Sequence, residues 1–463
     1  MSAQPFALTA HEMAEAFGGV LRHGPADRLL PTVSIDTRTL APGDLFVAIR
    51  GPRFDGHTFV AEAIARGAGA VVVSEASAIT ATDVPAIVVA DTLQGLQDAA
   101  HVIRRRAGST VIAITGSAGK TTTKEIAATL LARRFTTFRN RGNLNNHIGL
   151  PLSLFELRTA PQMAVVELGM SGFGEIRRLV EIAQPQVRVW TNVGEAHIGA
   201  FASVDEIAEA KAEILEQATP GDVFVANAGD QMVIARAAGF PGQVITFGVE
   251  VPADVAITGA RWRGFDGATA TLSLRGEPYG VETRLLGKAN LTNIAAASAV
   301  ALAVGVPARD IVDGIGGLVP AAHRGEVVRA PGGWVVIDDA YNSSPSALKL
   351  ALETLADTPG RHVAVLGEML ELGEFSDHYH VECGLAAARS GIDVVIAVGG
   401  APARALADAA RDAGVATVRH ADDSRAGAEL ARDLIQAGDV VLVKGSRGIR
   451  MEAIVQALTE GAR

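Results

Sequence analysis

The feature that most constrains the fold is a glycine-rich loop between an apolar run and a helix-like segment. It reads Gly-Ser-Ala-Gly-Lys-Thr over residues 116–121, after the apolar residues 111–114 and before the helical pattern of residues 122–131. A strand that turns directly into a helix points several backbone N–H groups at one spot, and the helix dipole adds positive potential there. The loop therefore predicts a polyphosphate site in an α/β fold.

Each residue type in this loop has a distinct expected role. Gly116 and Gly119 let the chain approach a phosphate closely, Lys120 supplies a point charge, and the Thr121 hydroxyl suits Mg²⁺. The remaining expected nucleotide contacts of the loop are Ser117, Ala118 and Thr122. Ile114 occupies the position of the first glycine in the full phosphate-loop pattern, so a glycine-rich turn with a chance Lys-Thr pair stays the alternative.

Length and charge narrow the class of protein. A chain of 463 residues is too long for one core and predicts about three domains. The net charge of −10 argues against a nucleic-acid partner, and no apolar run is long enough for membrane insertion. Residues 1–17 lack the pattern of a secretory signal, and the single cysteine, Cys383, suits a reducing cytosol. We therefore expect a cytoplasmic enzyme.

The order of apolar runs predicts an α/β protein with three blocks. The boundaries that we expect for the three domains are 1–89, 90–318 and 319–463. In the middle block, helical patterns separate strands expected at 163–166, 187–193 and 223–226, which indicates parallel βαβ units. Residues 255–274 alternate instead and predict an antiparallel flap. In the last block, strands are expected at 334–337, 362–366, 394–398 and 440–443.

Two polar residues follow strands of the middle block, where parallel strands end at one edge of the sheet. Glu167 ends the apolar run 163–166, and His197 comes shortly after the run 187–193. A carboxylate at that edge beside a phosphate loop is a candidate Mg²⁺ ligand, and a loop-facing solvated glutamate is the alternative. A lone histidine is more often structural than a ligand.

Lys211 lies in the apolar face of a predicted helix. Ser203 and Glu206 form a capping box that opens this helix. The apolar stripe that contains Lys211 consists of Val204, Ile207, Ala208, Ile214 and Leu215. No carboxylate lies three or four positions away from Lys211, so the usual ion pair within a helix is missing. A buried lysine loses its charge readily and can then react with CO₂ to a carbamate, which is a metal ligand. A lysine that snorkels past the stripe is the equal alternative.

Together and in this order, these residues resemble the ATP-dependent Mur ligases of peptidoglycan synthesis, which act in cell wall biogenesis, cell shape and cell division. The resemblance extends over essentially the whole chain. It implies a small α/β N-terminal domain, a central phosphate-loop ATPase domain with a parallel sheet and a Rossmann-like C-terminal domain. It also implies that Lys120, His197 and Lys211 are catalytic. The implied Mg²⁺ ligands are Thr121, Glu167, His197 and Lys211 as its carbamate. Further implied ATP contacts are Asn290, Asn293, Arg324, Asp339 and Asn342.

The N-terminal segments 34–38, 42–48 and 55–59 resemble the UDP-holding domain of the third-step and fourth-step ligases. The resemblance implies UDP-substrate contacts by Ser34, Asp36, Thr37, Arg38, Phe46, His57, Asn145 and Asn146. Arg38 has the forked donors that suit a phosphate. A structural pair of Arg38 with Asp36 or Asp44 is the alternative.

Segments 366–373 and 443–447 resemble the family member that adds D-alanyl-D-alanine to UDP-N-acetylmuramoyl-tripeptide, and the Asp-Asn-Pro-Arg motif of the diaminopimelate-adding member is absent. This implies an acyl-phosphate intermediate and closure of the C-terminal domain over the central one. The chain departs from the pattern at His323, where glycine is frequent before the arginine, and at Ser343-Ser344, where Ala-Asn is common. We expect a monomer. A folate-polyglutamylating ligase and an ATP-binding regulatory module are the alternative functions.

Overall fold

The computed structural model describes residues 5–79 and 81–460. The first block of the chain contains short strands and two helices. They are β1 (Leu8–Thr9), α1 (Ala10–Ala16), β2 (Val20–Arg22), β3 (Leu29–Leu30), β4 (Val33–Ser34), β5 (Leu45–Val47), α2 (Val60–Ala65), β6 (Ala70–Val73) and β7 (Ala86–Val88). A 3₁₀ turn, Gly56–Phe59, directly precedes α2.

The second block alternates strands and helices, as the sequence predicts. Its elements are α3 (Thr92–Ala107), β8 (Thr110–Thr115), α4 (Lys120–Leu131), β9 (Thr137–Arg139), α5 (Gly149–Leu154), β10 (Met163–Glu167), α6 (Glu175–Ala183), β11 (Val187–Trp190), α7 (Val204–Ala212), β12 (Val223–Asn227), α8 (Gln231–Ile234), β13 (Gln243–Val249), β14 (Val255–Trp262), β15 (Ala268–Leu274), β16 (Glu277–Thr283), α9 (Gly287–Ala303) and α10 (Ala308–Ile315). The strand expected over 187–193 ends at Trp190, three residues early.

The third block is again α/β. Its elements are β17 (Glu326–Arg329), β18 (Val335–Asp339), α11 (Pro345–Ala356), β19 (Arg361–Gly367), α12 (Ser376–Arg389), β20 (Val394–Val398), α13 (Ala401–Asp412), β21 (Thr417–Ala421), α14 (Ser424–Leu434), β22 (Asp439–Lys444) and α15 (Glu452–Thr459). The sequence reasoning missed β16, β17 and β21, because these strands carry many polar residues and form no apolar run.

The described chain forms two compact units. The first comprises the described residues among 5–114, together with Arg134–Arg188 and Glu213–Asp222. It contains a sheet in the order β2-β7-β6-β5-β4, which is parallel except for β2, and the antiparallel pair β1-β3. It also contains the parallel strands β8, β10 and β9, although Thr115 at the end of β8 belongs to the second unit. In this register Glu167 pairs with Ile114, at the carboxyl ends of β10 and β8.

The second unit comprises Thr115–Arg133, Val189–Ala212 and residues 223–460. Strands β12, β13 and β14 pair in parallel, and β14, β15 and β16 continue as an antiparallel meander. The expected antiparallel flap is thus confirmed, with a third strand added. The last block forms a six-stranded sheet in the order β17-β18-β22-β19-β20-β21, which is parallel except for β17. Its core is built from buried valines and isoleucines of β18, β19, β20 and β22.

No helix among residues 5–79 and 81–460 has both the length and the apolar character needed to cross a bilayer.

Candidate active site

The glycine-rich loop turns from β8 into α4 with two glycines in the left-handed region. Gly119 caps α4 at a φ of 82°, and Gly116 has a φ of 143°. A Cβ at Gly116 would overlap Thr191 Oγ1, and one at Gly119 would overlap Asn293 Oδ1. Both positions therefore require glycine for conformation and for space. The helix starts at Lys120, two residues before the expected position.

Neighbouring segments of the second unit hold the loop in place. Asn192 Oδ1 accepts a 2.8 Å hydrogen bond from the Ala118 N–H, and Ser117 Oγ donates to the Gly194 carbonyl at 2.9 Å. Lys120 Nζ donates to the Gly116 carbonyl at 2.6 Å. The protein's own hydrogen bonds thus define the shape of the loop, which is the preorganisation that electrostatic catalysis requires.

A cavity of about 550 Å³ opens beside this loop and lies wholly within the second unit. It joins the loop to α9 and to the sheet of the last block. The predicted site residues that line it are Ser117, Ala118, Gly119, Lys120, Thr122, His197, Asn290, Asn293, Arg324, Asp339 and Asn342. Gly116 and Thr121 are not among the lining residues. Thr121 Oγ1 accepts a 3.4 Å hydrogen bond from Arg324 Nη2.

Asn293 supports the phosphate loop. Its Oδ1 accepts a hydrogen bond from Thr123 Oγ1 at 3.2 Å and lies against Gly119. Asn290 is bonded to the Leu286 carbonyl at 2.8 Å. Asp339 forms a 2.7 Å ion pair with Lys444, whose side chain is 4% exposed.

Two buried polar atoms at the cavity have no hydrogen-bond partner among the described residues. They are Arg324 Nε and Ser343 Oγ. The Arg324 guanidinium carbon lies 4.1 Å from the centre of the Tyr341 ring. An unsatisfied buried donor costs free energy unless a ligand supplies the acceptor. The cavity is therefore built for a polar, oxygen-rich ligand.

His197 contacts a carboxylate from the last block. Its Nδ1 lies 2.5 Å from Glu371 Oε2, and this hydrogen bond holds the pKa of Glu371 below its usual range. Both residues adopt positive φ, 65° in each case, which is uncommon outside glycine and frequent at functional sites. The bond engages Nδ1 of His197, and a contact of this residue with a metal ion stays a prediction.

Lys211 is almost completely buried on α7, with 1% exposure, so the snorkelling alternative is wrong. Burial, together with the positive charge of Lys120, lowers the pKa of the Lys211 amine well below its usual range. At the helix start, Ser203 Oγ accepts from the Glu206 N–H, but the Glu206 carboxylate accepts from the Ala202 N–H. The capping box is therefore only half formed.

Glu167 lies in the first unit and is buried, with 3% exposure, so the solvated alternative is wrong. Asn145 Nδ2 donates to Glu167 Oε1 at 2.8 Å, and the Glu167 backbone N–H donates to Asn140 Oδ1 at 3.1 Å. Asn146 has a separate role, because its Oδ1 accepts from the Gly149 N–H at the start of α5.

No three histidine, cysteine or acidic side chains among residues 5–79 and 81–460 cluster as a metal site. A magnesium–nucleotide site does not require such a cluster, because Mg²⁺ takes most of its ligands from phosphate and water. A hydroxyl such as that of Thr121 and a carboxylate such as that of Glu167 are the protein donors that such sites use. The residue types present therefore fit this ion.

The predicted UDP contacts lie in the first unit. Arg38 pairs with Asp36 through two parallel bonds, and these hydrogen bonds lower the pKa of Asp36 to about 2. The structural pair that the sequence offered as an alternative is therefore present, and the guanidinium stays 84% exposed. Ser34 Oγ donates to the Asp36 carbonyl. Phe46 and Thr37 are buried, and Phe46 belongs to the apolar core of this block.

His57 is also buried. Its Nδ1 lies 2.7 Å from Asp55 Oδ1, and its Nε2 accepts from the Ser74 N–H at 2.9 Å. Both ring nitrogens are therefore used inside the first unit. A direct contact of His57 with a UDP-sugar stays a prediction.

The sequence reasoning missed several polar residues of the cavity. Asn192 and Asn227 end or follow β11 and β12, and Asp230 accepts from the Val193 N–H at 2.7 Å. The rule that located His197, polar residues at the carboxyl ends of parallel strands, also points to these. Glu371 and Arg447 lie in the segments 366–373 and 443–447 that the family resemblance pointed to, but their individual contacts depend on tertiary packing.

Comparison with known proteins agrees with this geometry. The Mur ligase family, catalytic domain, matches residues 31–105; the Mur ligase middle domain matches 114–301; and the Mur ligase, glutamate ligase domain, matches 323–447. A Bacillus subtilis protein named UDP-N-acetylmuramoyl-tripeptide--D-alanyl-D-alanine ligase is 33% identical over 98% of both chains. The chain belongs to the Mur ligase family.

Solved structures of related proteins share the fold of this Mur ligase. MurF from Acinetobacter baumannii is 33% identical, with a TM-score of 0.88 over 99% of this chain and 100% of that one. MurF from Thermotoga maritima, solved in complex with ADP, is 29% identical, with a TM-score of 0.84 over 93% and 97% of the two chains. The expected three-domain α/β architecture is confirmed. The boundaries 1–89, 90–318 and 319–463 stay a prediction.

Proposed function

We propose that this Mur ligase joins D-alanyl-D-alanine to UDP-N-acetylmuramoyl-tripeptide in an ATP-dependent reaction of peptidoglycan precursor synthesis. The observation that carries the proposal is the cavity in which the phosphate loop meets Arg324, Asp339 and Asn342 of the last block. The relatives that share nearly the whole chain are named for this reaction. The two alternative functions, folate polyglutamylation and an ATP-driven switch, have no such support.

Amide formation from a carboxylate is uphill in water, so the acid must first be activated. The terminal carboxylate of the tripeptide attacks the γ-phosphorus of ATP and releases ADP, which forms an acyl phosphate. Negative charge builds on the transferred phosphoryl oxygens during this step. Lys120 and the backbone N–H groups at the start of α4 stabilise that charge, and Arg324 adds a second cation.

The amine of D-alanyl-D-alanine then attacks the acyl carbon. A tetrahedral intermediate collapses to the amide and inorganic phosphate. Water must be excluded while the acyl phosphate exists. The cavity can surround this intermediate on several sides, because segments of the second unit that are far apart in sequence, from Ser117 to Gly448, line it.

The Thr121 hydroxyl and the Glu167 carboxylate are oxygen donors of the kind that hold Mg²⁺, and the family resemblance adds His197. When bound, the ion would supply positive charge to the phosphate oxygens. We place a carbamate on Lys211 as a further oxygen donor. The support is physical: the amine is buried, and its pKa is lowered, so the neutral form that reacts with CO₂ is favoured.

The UDP moiety is assigned to the first block through Ser34, Asp36, Thr37 and Arg38, with Asn145 and Asn146 of the middle block. The proposed domains are 1–89 for the UDP-substrate, 90–318 for ATP and 319–463 for the C-terminal part of the site. We propose a cytoplasmic monomer, because the substrates are a nucleotide-linked precursor and ATP and because the single cysteine suits a reducing compartment.

Phosphate release tests the function. We expect release only when ATP, UDP-tripeptide and D-alanyl-D-alanine are all present. Release without an acceptor would instead support a regulatory ATPase, and release with a folate and glutamate would support the folate ligase. Running the assay with the lysine-containing and the diaminopimelate-containing UDP-tripeptide identifies the third residue of the peptide.

A further inference from the structure

Arg447 lies in the nucleotide cavity, and the steps described above give it no role. It opens the 3₁₀ turn Arg447–Ile449 just after β22, and its side chain is exposed to the cavity. Its guanidinium carbon is 5.1 Å from the centre of the Tyr341 ring. Within residues 5–79 and 81–460, no carboxylate forms an ion pair with Arg447.

Three other cations of the cavity already donate to protein groups, whereas Lys288, which also lines the cavity, forms no ion pair among the described residues. Lys444 pairs with Asp339 at 2.7 Å and donates to the Asn342 carbonyl at 3.0 Å. Arg324 Nη2 donates to Thr121 Oγ1, and Lys120 Nζ donates to the Gly116 carbonyl of the phosphate loop. Arg447 thus brings a positive charge to the cavity without a protein anion to neutralise it, and a ligand anion is the missing partner.

The turn that carries Arg447 is held firmly. Ser446 Oγ accepts from the Leu370 N–H at 2.9 Å, and the Ser446 N–H donates to the Glu368 carbonyl at 3.2 Å. A Cβ at Gly448 would lie 2.7 Å from Leu370 Cδ1, so the turn and Leu370 are in close contact. Leu370 is 40% exposed and also lines the cavity. The result is a firmly held backbone that places the Arg447 guanidinium near the Tyr341 ring and next to a small apolar surface.

D-Alanyl-D-alanine has the matching chemistry. One end is the amine that reacts, the other end is a carboxylate that must not react, and two methyl groups lie between them. A guanidinium fork binds a carboxylate through two parallel hydrogen bonds, and an aromatic face below the guanidinium keeps it in orientation. Held in this way, the carboxylate is neutralised and kept away from the phosphoryl group.

We propose that Arg447 binds the C-terminal carboxylate of the incoming D-alanyl-D-alanine and that Leu370 packs against its methyl groups. This proposal rests on the proposed function. It adds the residue that binds the end of D-alanyl-D-alanine opposite to the reacting amine. Arg447 is then a binding residue that selects an amine substrate bearing a carboxylate at this distance.

Steady-state kinetics of Arg447→Ala test the proposal. We expect the KM for D-alanyl-D-alanine to rise on the order of 10–100-fold, the range for loss of a hydrogen-bonded charged contact. The KM for ATP should stay nearly unchanged. Arg447→Lys should recover only part of the loss, because it keeps the charge but not the fork. Arg425→Ala is the matched control, since Arg425 is an exposed arginine of the same sheet domain outside the cavity.

D-Alanyl-D-alanine amide, which lacks the carboxylate charge, is the decisive probe. The unmodified enzyme should use the amide as poorly as Arg447→Ala uses the acid, and Arg447→Ala should not distinguish acid from amide. Equal use of acid and amide by the unmodified enzyme would overturn the proposal, as would a KM change for ATP alone. Absence of any ligation by the unmodified enzyme would instead refute the proposed function, so the two failures are distinguishable.

Discussion

Burial decides the chemistry of Lys211, a single residue whose sequence context left two alternatives. Its side chain is 1% exposed, and desolvation together with Lys120 lowers the pKa of its amine. A charged ammonium in this position would repel Mg²⁺, whereas a carbamate would supply oxygen ligands. The same residue type, left at the surface, would only be a solvated cation.

The carbamate predicts a specific pattern of loss and rescue. Lys211→Ala should be nearly inactive, and millimolar acetate should restore part of its activity by filling the vacated space. Lys211→Arg should not be restored, because a guanidinium keeps the wrong charge in place. Ligation rates with and without acetate measure this. Lys124→Ala is the control, because Lys124 is fully buried but already paired with Glu125, and acetate should not help it. Full activity of Lys211→Arg would refute the carbamate.

Lys120 is the cation of the phosphate loop, and its removal predicts a catalytic loss without unfolding. Lys120→Ala should lower the ligation rate on the order of 10²–10³-fold, the usual effect of losing one preorganised charge contact. The melting temperature should change little, because the side chain is only partly buried. Arg425→Ala serves as control, since Arg425 is an exposed cation that does not line the cavity. Near-normal ligation by Lys120→Ala would contradict the assignment of ATP to this loop.

The contacts of His323 give a reason for one departure from the family pattern. It has a φ of 58°, a conformation that glycine adopts without cost and that other residues adopt rarely. Its Nδ1 lies 2.7 Å from Asp338 Oδ2, and Asp338 is fully buried. This bond compensates for the backbone conformation, so a histidine occupies a position where the family often has glycine. Arg324, the next residue, keeps its place beside Thr121 and Tyr341.

At the scale of elements, the turn after β4 carries Arg38, which pairs with Asp36 and is also predicted to bind the UDP-substrate. Arg38→Ala should raise the KM for the UDP-tripeptide and leave the KM for ATP little changed, because Arg38 belongs to the first unit and the nucleotide cavity to the second. Steady-state kinetics with each substrate varied in turn measure this. Arg66→Ala, which removes another exposed and paired arginine of the same block, is the control. An equal rise of both constants would indicate general destabilisation instead of substrate binding.

The strand ends show which elements the sequence predicts well. A buried run such as β20 matches the expected bounds 394–398, since an apolar run of valines has few alternatives to a buried strand. Edge strands such as β21 were missed, because one face is solvated and the run contains Arg419 and His420.

For the whole molecule, the division into two units predicts which segments a bound nucleotide protects from hydrogen exchange. The cavity draws on residues from Ser117 to Gly448, and all of them belong to the second unit. ADP should therefore slow amide hydrogen exchange in segments 116–122, 290–293 and 339–344 and leave segments 34–59 unchanged. Hydrogen exchange followed by mass spectrometry measures this, with AMP as a control that lacks the β-phosphate. Protection confined to 34–59 would contradict the site.

The sequence by itself determined the local features of this protein. The phosphate loop, the parallel βαβ order and the polar residues at strand ends follow from periodicity and turn chemistry, which depend on neighbouring residues. Only the tertiary structure decided the bond between His197 and Glu371, the two arginines around Tyr341 and the complete burial of Lys211. These depend on segments up to some 170 residues apart in sequence, and long-range packing leaves no periodic trace in a single chain.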